Sequence, residues 1–322
     1  MSNLAIAHRV QGETPWIGLP AIKVDPTRTV TEMLNDAHLA DWNVRLRLVD
    51  TDARRDKETY EVLRNNPFDG GLDRLATCGE RYVEVQNEEI AALADGITSG
   101  DVQANTMGAY NNGRNVFMVF SLGDNIVLDP NGQADEIGKF LTIETSHDGS
   151  SAIVAVTGNM RIACQNMLTS NRHAALSTFK MRHTQSVEGR MLDARKALGI
   201  AFKTSEAFEK EMQALIETDM TEGAFWDLVN TIYPKPEADV RGSVKKWENK
   251  TDTIMGLWNG ETNANLEDSA YKAYNALNEH LMWYGGVRAG NVENALVRAS
   301  GFDDATNKKN LGLYKATLLA AV

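Results

Sequence analysis

The sequence predicts an α+β protein: a central, mainly antiparallel sheet with hairpins, followed by long helices and a helical C-terminal region. Three observations carry this. Between residues 102 and 157, short apolar runs follow one another with turn signals between them and no crossover helix, which is how antiparallel strands succeed each other. From about residue 164 onward, apolar residues recur at helical i, i+3, i+4 spacing. No internal repeat and no strand–helix–strand alternation calls for a doubly wound parallel sheet.

Taken in order, residues 1–27 hold Pro15, Pro20 and Pro26 with little periodicity and read as an extended arm. Its Trp16, Ile17 and Leu19 are expected to pack on the body or on a neighbouring subunit. "TVTEMLNDAHL" reads as a short helix, because Thr29 and Glu32 have capping-box spacing and Val30, Met33, Leu34 and Leu39 can share a face. "WNVRLRLVD" alternates Val44, Leu46 and Leu48 with Arg45 and Arg47, a half-buried strand. "ERYVEVQNEEIAALADGI" reads as a strand to Gln86 and then a helix with Asn87 as N-cap and Glu88 and Glu89 in its first turn.

"VQANTMGAY" and "NVFMVFSL" flank "NNGR", a strong hairpin signal. "NIVLD", "FLTIET" and "SAIVAVT" continue the strands, with "DPNGQ" and "HDGS" as turns. "SVEGRMLDARKALGI", "SEAFEKEMQALIETDM", "LEDSAYKAYNALNEHLMWYGG" and the tail "NKKNLGLYKATLLAAV" read as helices, punctuated by Gly199, Pro234 and the Gly285–Gly286 pair. The polar, two-proline stretch 233–250 reads as a linker or exposed loop. The expected organisation is therefore an arm (1–27), an α+β core (28–232), the linker (233–250) and a helical region (251–322).

Composition narrows the function. The 322 residues are 43% hydrophobic, enough to bury a core without disulfide or metal staples. Two cysteines form no scaffold, which suits a reducing cytoplasm. No apolar run approaches the ~18 residues of a membrane span, and the first residues lack a secretory pattern. The net charge of −11 disfavours general polyanion binding, yet charge is uneven. Residues 161–203 carry eight basic and two acidic side chains, net +6, which leaves −17 for the rest. Such segregation marks an interaction surface or the solvated face of a long helix.

Several chemistries find no support. Neither GxxxxGK[ST] nor GxGxxG occurs, so no nucleotide motor and no cofactor are expected. The six histidines include no HxxxH or HExxH pair, so no metal is expected; His147 and Asp148 in "SHDG" are explained by the turn that Asp-Gly makes. Cys164, with Asn166 and His147, His173 or His183, has the residue types of a cysteine nucleophile. Its apolar neighbours Ile162, Ala163 and Met167 instead suit a buried, protonated thiol. Glu88 and Glu89 are adjacent, so they diverge and form no acid/base pair.

Nucleic-acid binding has the clearest mechanism. Arg161, Arg172, Lys180, Arg182, His183, Arg190 and Lys196 are the candidate contacts, with guanidinium groups suited to bidentate phosphate binding. Aromatics are sparse there, so Tyr82, Tyr110 or Trp16 would have to supply stacking.

The pieces "TPWIGLP", "DWNVRL", "ERYVEVQNEE", "SHDGSSAI", "MRIACQNML", "KMRHT" with "RMLDARKAL", and "SAYKAYNALNEHL" run in a fixed order from about residue 14 to 319. In them the chain resembles a phage- and plasmid-associated family described as a domain of unknown function. It departs from that pattern at Tyr271, where the family usually carries Trp, and in a longer, more polar segment 51–73. The resemblance implies a mobile-element protein acting in a bacterial host and brings no activity with it. The layout is also similar to that of ring-forming single-strand annealing proteins, an analogy of architecture alone.

The expected function is thus non-catalytic binding of single-stranded DNA, including strand annealing in recombination, by a cytoplasmic homo-oligomer. The alternative is a structural or regulatory homo-oligomer whose basic segment meets acidic surfaces of another copy, without nucleic acid. A cysteine-dependent enzyme stands third.

Overall fold

The architecture comes from a computed structural model that describes residues 6–9, 22–25, 27–52, 57–98, 102–123, 125–128, 134–161, 166–168, 178–183, 205–238, 240–284, 298 and 303–320. Its strands are β1 (Ile6–Arg9), β2 (Ile22–Val24), β3 (Arg45–Asp52), β4 (Lys57–Asn65), β5 (Leu72–Gly79), β6 (Val102–Tyr110), β7 (Asn115–Leu122), β8 (Ile126–Leu128), β9 (Asp135–Ser146), β10 (Ile153–Arg161), β11 (Asn166–Leu168) and β12 (Thr178–Met181). Its helices are α1 (Val30–Asp36), α2 (Asn87–Thr98), α3 (Ser205–Ile216), α4 (Glu222–Ile232), α5 (Ser243–Trp258), α6 (Ala270–Glu279) and α7 (Asp304–Ala320). The fold class is α+β, and the pairings with known register are antiparallel except that of β1 with β2.

The chain divides into two compact units. The first holds residues 1–124, 139–158 and 176–203; the second holds 125–138, 159–175 and 204–322. In the first, one sheet runs β2, β1, β6, β7 and then residues 139–146 of β9, while residues 153–156 of β10 pair with β12. A second sheet has the order β3, β4, β5. Helix α1 starts at a capping box: Thr29 accepts the Glu32 N–H, and the Glu32 carboxylate accepts the Thr29 N–H. That fixes the face from which Met33 and Leu34 enter the core. They join Ile90 and Leu93 of α2, Met107 of β6, Met118 and Phe120 of β7, and Leu141 and Ile143 of β9.

The second unit carries α3 to α7, β8 and β11, with a core of Phe208, Met212, Phe225, Leu228, Ile254, Trp258, Tyr274 and Tyr314. Every residue of α6 is buried, including its polar ones. Lys272 pairs with Asp268 at 2.9 Å and Glu279 accepts from Thr262, while Asn275 donates to the Tyr271 carbonyl and keeps its Oδ1 without a partner among the described residues. Helix α6 runs into a π-helical turn over His280–Tyr284.

The structure corrects several sequence-based expectations. The described parts of the arm are sheet strands, β1 pairing with β6 and β2 with β1; Trp16, Ile17 and Leu19 lie outside the described residues. "ERYVEVQ" forms no strand. There the Gln86 side chain brackets the Val44 backbone, accepting its N–H at 2.9 Å and donating to its carbonyl at 2.8 Å, so a side chain does what a ladder partner would do. Asn87 is not an exposed cap. It is buried and joins Leu39 to His147.

Leu48 is 51% exposed rather than half-buried, and the register of β3 shifts just after it, between Leu48 and Asp50. The expected linker 233–250 contains the start of α5, with Trp247 Nε1 donating to the Tyr233 carbonyl. Strands β4, β5, β11 and β12 have no counterpart in the sequence-based reading. The expected helix at 186–200 and Cys164 lie outside the described residues.

Candidate nucleic-acid interface

The candidate site lies in the first unit, at the end of β12. Thr178–Met181 pairs with Ile153–Val156 of β10 and delivers Arg182 and His183 beside the turn between β9 and β10. That turn reverses at Gly149, with φ +72°, and Asp148 closes it by accepting the Ser150 N–H at 2.9 Å. A Cβ at Gly149 would meet the Tyr82 ring at 3.9 Å, so the turn and the Tyr82 side chain are in close approach.

His183 is fixed from three sides. Its carbonyl accepts the Val83 N–H at 3.3 Å, its Nε2 lies 3.2 Å from Thr145 Oγ1, and its ring stacks on Tyr82 with centroids 5.2 Å apart and planes 18° from parallel. It is 6% exposed, and burial pushes its pKa below the ordinary histidine value. The same burial drives the Tyr82 hydroxyl upward, aided by nearby Asp148 and Glu84. Among the described residues neither Tyr82 Oη nor His183 Nδ1 has a hydrogen-bond partner, and both atoms are sealed from solvent.

Tyr82, His183, Arg81, Arg182 and the turn residues Gly149–Ala152 line a cleft of about 500 Å³. Arg81 and Arg182 are exposed, and neither guanidinium makes an ion pair or side-chain hydrogen bond among the described residues. Chemically this is a mouth with two unspent cations over a wall of one tyrosine and one neutral imidazole. A smaller cleft that also contacts Arg81 and Tyr82 carries Glu58 and Glu80, so carboxylates bound the cationic region on that side.

A second basic cleft, of about 320 Å³, is lined by Arg64, Arg74 and Arg114 with Asn66, Asn112 and Asp73. Arg64 is held hard. It pairs with Asp73 at 3.0 Å, and its guanidinium lies 4.0 Å over the Trp42 ring. Trp42 in turn stands 5.5 Å from the ring of His147, which is wholly buried and shares a 3.0 Å hydrogen bond with Asn87. Burial, then the neighbouring His183 and Arg64 charges, lower the His147 pKa to about 3. His147 is therefore a neutral core residue. Its N–H donates to the Arg114 carbonyl at 2.7 Å, which ties the β9–β10 turn to the hairpin of the second cleft.

Of the residues singled out from sequence, the structure brings Arg182 and His183 together at the cleft, and leaves Lys180 exposed on β12. Arg161 must be corrected. It is 0% exposed, with its guanidinium spent on Asp135 at 2.8 Å and on Thr262, Asn263 and Asn265, so it cannot reach a ligand in solvent. Arg172, Arg190 and Lys196 lie outside the described residues. Of the rings considered for stacking, Tyr82 lines the cleft with its ring against His183, whereas Tyr110 is buried and hydrogen-bonded to Glu144. Sequence reasoning missed Arg81, although it directly precedes Tyr82. Among the described residues no group of three His, Cys, Asp or Glu side chains converges as a metal set. Cys78 is half-buried, and burial raises its thiol pKa.

The sequence pattern described as "Domain of unknown function (DUF932)" matches residues 74–301, well over half of the chain. The protein belongs to the DUF932 family. The DUF932 match takes in Arg81, Tyr82, the β9–β10 turn, Arg182 and His183, so the first cleft lies wholly within the family region. It begins inside β5, so β3, β4, Trp42 and Arg64 lie outside it. No curated protein and no solved structure matches the chain. No helix among the described residues is long and apolar enough to cross a membrane.

Proposed function

We propose that this DUF932 protein binds single-stranded nucleic acid through phosphate contacts at the cleft edged by Arg81 and Arg182. The observation that carries the reading is this pair of exposed guanidinium groups, free of ion pairs among the described residues, in a chain whose net charge is −11. Two such guanidinium groups at one cleft suit an anion, because each can hold a phosphate by two parallel hydrogen bonds. Arg114 at the second cleft adds another exposed cation of the first unit, and the +6 segment 161–203 agrees in sign. The resemblance to phage- and plasmid-associated proteins supports a role in mobile-element DNA metabolism, such as strand annealing, in a bacterial cytoplasm and by a homo-oligomer.

The test is filter binding of labelled single-stranded oligonucleotides across about 50 to 200 mM salt, run beside light scattering. Arg81→Ala and Arg182→Ala should weaken binding and leave the oligomer mass unchanged. If binding holds and the mass falls instead, the guanidiniums serve contacts between copies of the chain, and the nucleic-acid reading is lost.

A further inference from the structure

The fold nearly buries Arg64 and satisfies only part of it. The side chain is 7% exposed, and a guanidinium has five N–H groups to place. Nε and Nη2 both reach one carboxylate oxygen, Oδ2 of Asp73, at 3.1 and 3.0 Å, while Oδ1 accepts from Asn66. Nη1 makes no hydrogen bond among the described residues and is not sealed from solvent. Gly113 makes room for this group, since a Cβ there would stand 2.1 Å from Nη1. The guanidinium therefore lies between Asp73 of β5 and the hairpin at 111–114, which form the two walls of the second cleft.

We infer that the second cleft is a phosphate site of its own, in which Arg64 from below and Arg114 from the rim hold the oxygens of one phosphate group. It is separate from the cleft edged by Arg81 and Arg182 and does not rest on the reading of that cleft. Charge agrees. Asp73 offsets Arg64, and Glu61 offsets Arg74 through Nη1 at 3.1 Å. Arg114 is exposed and makes no ion pair or side-chain hydrogen bond among the described residues, so the cleft keeps an unbalanced positive charge.

The site is also built in advance. Asp73 and the Trp42 ring, 4.0 Å away, hold the Arg64 guanidinium in place, so a ligand loses little by ordering it. Arg114 is pinned through its backbone: its N–H donates to the Asn111 carbonyl at 3.2 Å and its carbonyl accepts the His147 N–H at 2.7 Å. Its side chain thus starts from a fixed point and keeps a free end. A phosphate presents oxygens in several directions, so two guanidinium groups can take it from two sides. The volume of about 320 Å³ is at the small end for ligand sites, which suits a small anion.

Isothermal titration calorimetry with inorganic phosphate tests this on the full chain carrying Arg81→Ala and Arg182→Ala, which removes the arginines of the first cleft. That protein should still bind phosphate, and adding Arg114→Ala should weaken binding about ten-fold, the scale of one charge-assisted contact. Arg64→Lys keeps the charge and loses the fork, and should weaken phosphate too. Filter binding of labelled single-stranded oligonucleotides to the chain with Arg114→Ala alone identifies the source. A salt slope reduced by about one places a phosphodiester of the strand in the cleft. Unchanged strand binding beside weakened inorganic phosphate places a free phosphate or a phosphate monoester there. If Arg114→Ala alters neither probe, the site is overturned, and the first cleft is judged by Arg81→Ala and Arg182→Ala alone. If those two leave strand binding unchanged while Arg114→Ala weakens phosphate, the nucleic-acid reading fails and this site stands.

Discussion

Arg161 and Asp135 form an ion pair sealed from solvent, with Nε 2.8 Å from Oδ2 and side-chain exposures of 0% and 2%. Tyr271 donates to the same carboxylate at 2.7 Å, and Thr262 and Asn263 take Nη1. Charges this deep are tolerable only while every partner stays in place. Arg161→Ala strips the cation and leaves Asp135 buried with one hydroxyl. The expected cost is about 3–5 kcal/mol of stability, read as a lower urea midpoint. Affinity of the folded fraction for single-stranded DNA should not change, and a loss of affinity at full stability would return Arg161 to the binding surface.

Gly113 is held glycine by Arg64. Its φ is +81°, and an added Cβ would lie 2.1 Å from Arg64 Nη1. Gly113→Ala should destabilise by about 1–2 kcal/mol from the backbone alone, and further through displacement of the guanidinium from Trp42. In the Arg64→Ala background the second part should vanish. A double-mutant cycle in urea separates the two, and strictly additive effects would show that Arg64 does not press on this turn.

Acid should unfold the protein through its histidines. The folded pKa values of His147 and His280 fall to about 3 and about 4, against 6.5 for an exposed imidazole. Burial is the main cause in both; the charges of His183 and Arg64 add to it at His147, and that of Lys250 at His280. A depressed histidine pKa means that the unfolded chain takes up a proton the folded one refuses. Its stabilising contribution is complete above pH 6.5 and is lost as pH falls toward the folded value. The buried carboxyls Glu144 and Glu279, whose pKa values burial raises, act in the opposite sense and lose their contribution as pH rises through those values. Urea midpoints should drop between pH 6.5 and about 4, and His280→Phe should flatten that drop. An equal slope in the variant would remove His280 from the account.

At the cleft, removal of one arginine–phosphate interaction should reduce the slope of log affinity against log salt by about one. Arg81→Ala and Arg182→Ala are expected to do so singly and by about two together. A substitution that weakens binding with an unchanged slope would mean that its arginine acts on something other than a phosphate.

Much of this is readable in local pattern. Thr29 and Glu32 announce their capping box three residues apart, and "NNGR" announces a hairpin whose residues 111–113 all adopt positive φ. Arg182 and His183 stand out by charge and position. What escapes depends on distant partners. Arg161 looks like any basic residue until Asp135, 26 positions earlier, and Asn263, 102 positions later, enclose it. Strand β4 is masked by its own charges, because Glu61 is buried only by virtue of Arg47 on β3 and Arg74 on β5. Arg81 escapes because it is the one cation among the four carboxylates of "ERYVEVQNEE", and only folding brings it to the cleft that Arg182 lines.

The division of the chain has a consequence for its birth on the ribosome. Residues 125–138 and 159–175 emerge early but belong to the unit completed by 204–322, whereas 176–203 emerge after them and belong to the other. Ile126, Leu128 and Ile137 must therefore wait, unsheltered, for Phe208, Trp258 and Tyr274 to be synthesised. Translation that stops near residue 203 does not release one finished half. It releases a chain with bare apolar segments, suited to aggregation or to a chaperone.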